Sequence, residues 1–452
     1  MKMNIGTRLA IRSSFLAIAI AAILATAGAA SAQDWFKTGT GLGVSKVRLA
    51  VPDFGASAAA AQPLEKTFHD VLWNDLEYSG IVEMVSPSFY PTTFPTQPTE
   101  LNAAAWSAAP ANTYMIAFGN IDAQSGLAVT GNLFDVRSSP AAAALQKNYR
   151  GNATDADARR LAHQFADDII ARLSGGVPGI ASTQIAFVSN RSGNKEIWVM
   201  DYDGSNQHEI THLKTIALTP RWSPDSTRIA FTCYETFRGD SSAQICMYSS
   251  DSNRLISFPR YRGTTCCPAW SPDGKQLAFM ASGGQGDPGI YTSDSDGGHL
   301  HRLTVSRGVS TSPVWNPKTG QQIIFLSDRG GEPVLYQMNS DGSNVEKIAM
   351  PDMGYVVDPA WSPNGQLLAF AWRRPSGNFD IYIMDIVSRQ LVELTRDAGR
   401  NERPSWAPDG RHLVFESTRT GTRQIWTILA DGSEPKQVTY SGQNESPNWS
   451  PK

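Results

Sequence analysis

Pro404-Ser-Trp406-Ala-Pro408-Asp409-Gly410 decides the fold, because the chain repeats it. The other copies are Pro220-Arg-Trp222-Ser-Pro224-Asp225, Pro268-Ala-Trp270-Ser-Pro272-Asp273-Gly274, Pro313-Val-Trp315-Asn-Pro317, Pro359-Ala-Trp361-Ser-Pro363-Asn364-Gly365 and Pro447-Asn-Trp449-Ser-Pro451. The steps between tryptophans are 48, 45, 46, 45 and 43 residues. A fixed period of this size marks a repeat architecture. Each copy opens a unit of the same kind. A Pro-Asp-Gly turn leads into a short β run ending in Phe, such as Leu277-Ala-Phe279 or Leu413-Val-Phe415. A second run follows, as at Ile290-Tyr291 or Ile425-Trp426, then an Asp-Gly hairpin signal, as at Asp296-Gly297, Asp341-Gly342 and Asp431-Gly432. A last run ends in Leu303-Thr304, Leu394-Thr395 or Val438-Thr439. Four short antiparallel strands per unit make one propeller blade.

The two ends of the repeat array complement each other. The β runs between Thr183 and Leu213 lack a preceding Pro-x-Trp, and the copy at Trp449 has no strands after it. One blade assembled from both ends closes the ring and leaves no open sheet edge. The expected fold is therefore two-domain: a small N-terminal α/β domain, then a six-bladed β-propeller closed by the C-terminal strand.

Residues 1–32 read as a signal peptide. Lys2, Arg8 and Arg12 form a basic start, Phe15–Leu24 is apolar, and Ala30-Ser31-Ala32 is a cleavage site that puts the mature start at Gln33. The run is short and Ala-rich for an uncleaved anchor. No Cys follows the site to carry a lipid, so export to a soluble periplasmic form is expected. Residues 33–43 form a polar, Gly-rich arm carrying Trp35 and Phe36, read as flexible. Residues 44–174 read as the α/β domain. Val47–Val51, Tyr114–Ile121 and Leu127–Val136 have strand character, and Leu64, Phe68, Val71, Leu72 and Leu76 have helical spacing. Thr154-x-x-Asp157 opens a last helix with a capping-box pattern and an apolar face of Leu161, Phe165, Ile169 and Leu173. Pro87–Pro98 reads as a surface loop, residues 175–182 as the linker and 183–452 as the propeller.

Bulk properties exclude several classes. With 452 residues, 41% apolar, and a net charge of −3, the chain can bury two cores and has no basic run after its first residues. Nucleic acid and direct membrane insertion are poor expectations. The four cysteines, Cys233, Cys246, Cys266 and Cys267, suit structural bridges in an exported chain, with three pairings open. His208-Glu209-Ile-Thr-His212 spells a zinc motif, but its repeat position is a strand, where the imidazoles stand roughly 13 Å apart. Asp201-Tyr-Asp203-Gly204 reads as a hairpin turn rather than a calcium loop. Neither a nucleophile elbow nor a phosphate loop is present.

The leader, the α/β domain and the Pro-x-Trp-Ser-Pro-Asp-Gly repeats together resemble the TolB family, periplasmic propellers of the Tol–Pal envelope system. The resemblance covers the mature chain. It implies a scaffold without catalytic residue, cofactor or metal, acting in outer-membrane integrity and invagination during cell division. It implies two partners: peptidoglycan-associated lipoprotein at one channel mouth, and TolA at the N-terminal arm, with Trp35 and Phe36 as anchors. The residues that start each inner strand would line the lipoprotein mouth: Tyr261, Thr264, Thr265, Thr311, Asp358, Arg403 and Glu445. Phe258-Pro-Arg260-Tyr261-x-Gly263 resembles a lipoprotein-contacting segment, with Tyr261 where a His can occur, and Thr311 matches another contact position. The vicinal Cys266-Cys267 departs from the family pattern. The competing reading is a metal-dependent propeller hydrolase with oxygen ligands from Asp358, Asn401, Glu402, Asn444 and Glu445. A carbohydrate binder is a third reading, disfavoured because the repeated tryptophans should pack between blades.

Overall fold

The computed structural model describes residues 45–237, 240–283, 287–349 and 354–452. The leader site at Ala32 and Gln33 and the arm residues Trp35 and Phe36 lie outside the described residues. The N-terminal domain is built on a six-stranded sheet: β1 (Val47–Ala50), β2 (Gly55–Ala56), β3 (Val82–Met84), β4 (Met115–Asp122), β5 (Leu127–Asp135) and β6 (Ala142–Gly151). The order is β3-β1-β4-β5-β6, parallel from β3 to β4 and antiparallel beyond, with β2 paired in parallel to β4. Helix α1 (Gln62–Tyr78) buries Phe68, Val71, Leu72 and Leu76 against the sheet. A short α2 spans Ala103–Ser107. Helix α3 (Asp155–Leu173) contributes Leu161, Phe165 and Ile169 to the same core. Its cap is half of the expected box: the Thr154 hydroxyl accepts from Asp157 N at 3.2 Å, but the Asp157 carboxylate accepts from Asn152 N at 2.6 Å.

Six four-stranded sheets follow, one per blade. Blade 1 is the shared one: Asn444–Trp449 is its inner strand, paired antiparallel with Gln184–Ser189, then Glu196–Asp201 and His208–Glu209. The inner strands of blades 2 to 6 are Ala217–Trp222, Thr265–Trp270, Ser310–Trp315, Val356–Trp361 and Asn401–Trp406. The Phe of every second strand (Phe187, Phe231, Phe279, Phe325, Phe370 and Phe415) is fully buried, each worth about 2–3 kcal/mol of apolar transfer. Three of the tryptophans tie neighbouring blades together. Trp270, Trp315 and Trp406 donate Nε1–H to Arg221, Ala269 and Ala360 O of the preceding blade, at 3.1, 3.2 and 3.1 Å. The Leu-Thr signature also gains a reason. The hydroxyls of Thr211, Thr304, Thr395 and Thr439 accept from backbone N–H groups of the third strands, at Ile197, Ile290, Ile381 and Ile425, at 2.8–2.9 Å.

Cys233 and Cys246 are disulfide-bonded across one hairpin of blade 2, whereas Cys266 and Cys267 are free thiols, so bridging holds for one pair only. Cys233→Ser with Cys246→Ser is expected to lower unfolding stability by about 2 kcal/mol, less than a long-loop bridge would give because only 13 residues separate the pair. Urea denaturation monitored by tryptophan fluorescence measures it.

The two domains share one apolar cluster, which runs from Phe68, Leu72, Phe165 and Ile169 to Tyr202, Ala407, Val438 and Trp449. A polar core sits inside this interface. Asp75 accepts from His163 Nδ1 at 2.7 Å and from Tyr202 OH at 2.6 Å. Arg159 pairs with Asp203 at 2.7 Å, and His412 Nε2 meets Tyr78 O at 2.9 Å. The linker is pinned too: Asp167 accepts from Ala181 N and Ser182 N at 2.7 and 2.9 Å. These propeller groups belong to turns and strand ends at the tryptophan end of blades 1 and 6, so the described residues of the N-terminal domain dock away from the opposite mouth.

Candidate functional site

All six inner strands run from one channel mouth toward the tryptophan of their Pro-x-Trp, and the two mouths differ in chemistry. The far end is lined by the six tryptophans and by the prolines around them, enclosing ≈ 400 Å³. The near end is charged: Asp358, Arg400, Glu402, Arg403, Glu416 and Arg423 surround ≈ 440 Å³ together with Tyr355, Arg373 and Phe379.

A backbone device builds the near mouth. The register of every inner strand breaks two residues before its Pro-x-Trp tryptophan, between Leu218/Arg221, Cys266/Ala269, Thr311/Val314, Val357/Ala360, Glu402/Ser405 and Glu445/Asn448. At each break the residue before proline has positive φ: Thr219 50°, Cys267 61°, Ser312 50°, Asp358 54°, Arg403 55° and Ser446 54°. Six non-glycine residues in the left-handed region are costly, and such conformations persist where neighbours over-determine them. Here the neighbouring blade does so. Cys267 N donates to Thr232 Oγ1 at 3.1 Å, and Ser446 N donates to Glu416 Oε2 at 2.7 Å. The bulges turn one side chain per blade into the channel, giving a ring of Thr219, Cys267, Ser312, Asp358, Arg403 and Ser446.

Charge beside this ring is paired across blades, with Glu416 and Glu445 buried. Arg403 donates to Ser446 Oγ at 2.6 Å and lies 3.7 Å from Glu416. Arg423 bridges Glu416 and Glu445 at 3.2 and 2.8 Å, and Lys195 also pairs with Glu445. Burial pushes the Glu416 carboxyl up to about 7 in spite of Arg403 and Arg423. Burial likewise raises Asp358, with Arg403 opposing it. Glu445 is held below the usual carboxylate range because Lys195 and Arg423 outweigh its burial.

Of the residues expected at this mouth, Asp358, Arg403 and Glu445 converge there. Thr311 is adjacent, its hydroxyl 3.6 Å from Cys267 Sγ. Thr264 stands at the strand entrance, its N–H on Ser282 Oγ at 2.9 Å. Thr265 is fully buried and accepts from Ile245 N of the preceding blade at 3.1 Å. Tyr261 wedges between blades, its ring stacked on Phe279 at 5.4 Å and its hydroxyl donated to Gly297 O at 2.7 Å. Glu416, Arg423 and Lys195 are added by the structure. Glu416 had a signal: it follows Phe415 where the other blades carry Val188, Thr232, Met280, Leu326 and Ala371. The oxygen set weighed for a metal does not converge. Asn401 is buried on Asp380 at 3.0 Å, and Asn444 is buried on Gln424 at 2.8 Å. His208 and His212 lie on and beside a two-residue outer strand, His208 Nδ1 on Asn206 O at 2.8 Å and His212 beside Glu209 at 3.2 Å.

Comparison with known proteins agrees with this architecture. The family model of the TolB amino-terminal domain matches residues 40–141, and that of the TolB beta propeller domain matches 172–358 and 352–452. A TolB homolog of Chlorobium chlorochromatii (strain CaD3) is 30% identical over 264 residues, 58% of this chain and 57% of that relative. In that match the chain spans just over half of the relative's length. The Tol-Pal system protein TolB of Gluconobacter oxydans (strain 621H) is 33% identical over 464 residues, 98% of this chain and 96% of the relative. The crystal structure of TolB from Acinetobacter baumannii shares the fold with a TM-score of 0.77 at 24% identity, covering 90% of this chain and 97% of that one. A two-domain propeller protein with a charged channel mouth is the class these features define. The chain belongs to the TolB family.

Proposed function

We propose that the protein is a periplasmic scaffold of the Tol–Pal system that holds peptidoglycan-associated lipoprotein at the charged channel mouth and TolA at its N-terminal arm. In this role it supports outer-membrane integrity and invagination during division, and it carries out no chemistry of its own. The observation that carries the reading is the mouth itself: a ring of left-handed residues beside the Glu416, Arg423 and Glu445 ion pairs, on the face the described residues of the N-terminal domain leave open. Buried paired charges of this kind give specificity and orientation to a protein partner more than raw affinity. The curated relative of full length bears the Tol-Pal name, and no helix among the described residues is long and apolar enough to cross a membrane. The division into a leader 1–32, an arm 33–43, an α/β domain 44–174, a linker 175–182 and a propeller 183–452 follows from the same reading.

Calorimetric titration with the soluble domain of the same organism's peptidoglycan-associated lipoprotein tests it. Saturable binding is expected, weakened about tenfold, or 1.4 kcal/mol, by Thr311→Ala. Tyr261→Ala is expected to weaken it by a similar factor through the loosened blade wedge. Removal of residues 33–43 is expected to abolish TolA binding and leave lipoprotein binding intact. A folded protein that binds no lipoprotein but turns over an aryl ester, with loss on chelation, would replace this reading by the hydrolase one.

A further inference from the structure

Cys266 and Cys267 are free, half-buried and adjacent in sequence, on the inner strand of blade 3. In a regular strand neighbouring side chains point to opposite faces. The bulge removes that separation. The register breaks between Cys266 and Ala269, and Cys267 takes φ 61°. Cys267 is also approached by the Thr311 hydroxyl at 3.6 Å from blade 4 and lies in the field of Arg221 from blade 2 and Arg403 from blade 6. Asp358 from blade 5 shares that field. A sulfur with a hydroxyl at 3.6 Å and a thiol on the adjacent residue, in the field of two guanidinium groups, is an environment that favours thiolate over thiol. The two cysteines are correspondingly split: the neighbouring Cys267 raises Cys266, and the Cys266 thiol with the two arginines brings Cys267 below the ordinary thiol value. A half-buried thiol with a hydroxyl at 3.6 Å and a second thiol on the adjacent residue is the arrangement of a redox-responsive cysteine.

We propose that Cys267 and Cys266 form a reversible two-electron redox site in the propeller channel, Cys267 as the attacking thiolate and Cys266 as the resolving thiol. The oxidant class is an organic disulfide, from a small thiol compound or an oxidoreductase. The Cys267 sulfur attacks one sulfur of the disulfide, the S–S bond breaks, and the leaving thiolate takes a proton from water. Cys266 then gives its proton to water, and its sulfur attacks the Cys267 sulfur, expelling the second thiolate, which is protonated in turn. The protein loses two electrons and two protons, and the oxidant becomes two thiols. Bonded cysteines usually hold their Cα atoms about 4.4–6.8 Å apart, whereas consecutive Cα atoms are about 3.8 Å apart. The closed ring is therefore strained and readily reduced. Closing it withdraws Cys267 from Thr311 and resets the bulge at the charged mouth. The site stands on the thiols and their surroundings alone and does not depend on which protein docks there.

The test uses the purified chain and glutathione disulfide near neutral pH, with acid quenching and peptide mass mapping. The wild-type peptide carrying residues 266–267 is expected to lose two hydrogens and to regain them with dithiothreitol. Cys266→Ser is expected to stop at a stable glutathione adduct on Cys267. Cys267→Ser is expected to react at least about tenfold more slowly. The rate for Cys266→Ser should half-saturate below the usual thiol pKa of about 8.5. Circular dichroism establishes that the variants are folded, and the wild-type mass change stands without them. Unchanged thiols in the folded wild type, with ready oxidation only after denaturation, would overturn the proposal. Equal reactivity of the two single variants would overturn the division of roles.

Discussion

Asp75→Ala is expected to cost about 3–5 kcal/mol of unfolding stability, the range for removing one partner of a buried, hydrogen-bonded charged set. Asp75 is almost wholly buried between the domains and accepts from both His163 and Tyr202. Burial raises its carboxyl while His163 and Tyr202 oppose the shift; the imidazole, which burial alone would lower, is held above its ordinary value by Asp75. Without the carboxylate, Tyr202 OH and His163 Nδ1 lose their acceptor in a buried interface, and His163 Nε2 has no partner among the described residues. Asp75→Asn, which keeps one acceptor oxygen, should recover part of the loss. The loss should show first as faster proteolysis of the linker after Leu173, because Asp167 holds Ala181 and Ser182 only while α3 stays docked. Denaturant titration of the three proteins measures the order; an Asp75→Ala protein within about 0.5 kcal/mol of wild type would show that the interface does not rest on this network.

The second large effect is expected at the charged mouth. Arg403→Met removes the cation that faces Asp358, Glu416 and Glu445. At pH 8 the variant should lose about 2 kcal/mol, because Asp358 and Glu416 lose a facing cation, while Arg423 still pairs Glu416 and Glu445. The pH dependence then follows in sign. Removing the cation raises the folded-state pKa values of Glu416 and Asp358, which burial has already pushed up, and leaves the unfolded values near about 4. Between those limits the folded state binds more protons than the unfolded state, so stability rises as pH falls. The deficit of Arg403→Met against wild type should shrink on going from pH 8 to pH 5.5. A deficit that is constant with pH would mean that Arg403 acts through packing rather than through charge.

The architecture was legible because its signals are periodic. Six Pro-x-Trp copies and the unmatched runs at the two ends require a ring closed by the last strand, and the Asn444–Trp449 pairing with Gln184–Ser189 is that closure. In the N-terminal domain the long apolar stripes announced α1, α3 and the central strands. The short β3, the mostly exposed β6 and the five-residue α2 have no stripe to read. At the mouth, Asp358, Arg403 and Glu445 were legible from strand position. Thr265 and Tyr261 were not separable from them, because sequence counts residues along a strand but does not register the bulge that decides which side chain enters the channel. That bulge is also hidden by its composition: Thr, Cys, Ser, Asp, Arg and Ser before proline give no glycine to announce a left-handed residue. The ion-pair partners Glu416, Arg423 and Lys195 come from other strands, and only Glu416 places a charge in a column that is otherwise Val, Thr, Met, Leu and Ala.

Hydrogen–deuterium exchange of the protein with and without the soluble domain of peptidoglycan-associated lipoprotein tests the central claim most directly. The account predicts slowed exchange at the starts of the inner strands and the loops before them, around residues 263–267, 309–312, 355–358, 400–403 and 442–446. The tryptophan ends of the same strands and residues 45–173 should be unchanged. Protection confined to the tryptophan mouth or to the N-terminal domain would contradict it.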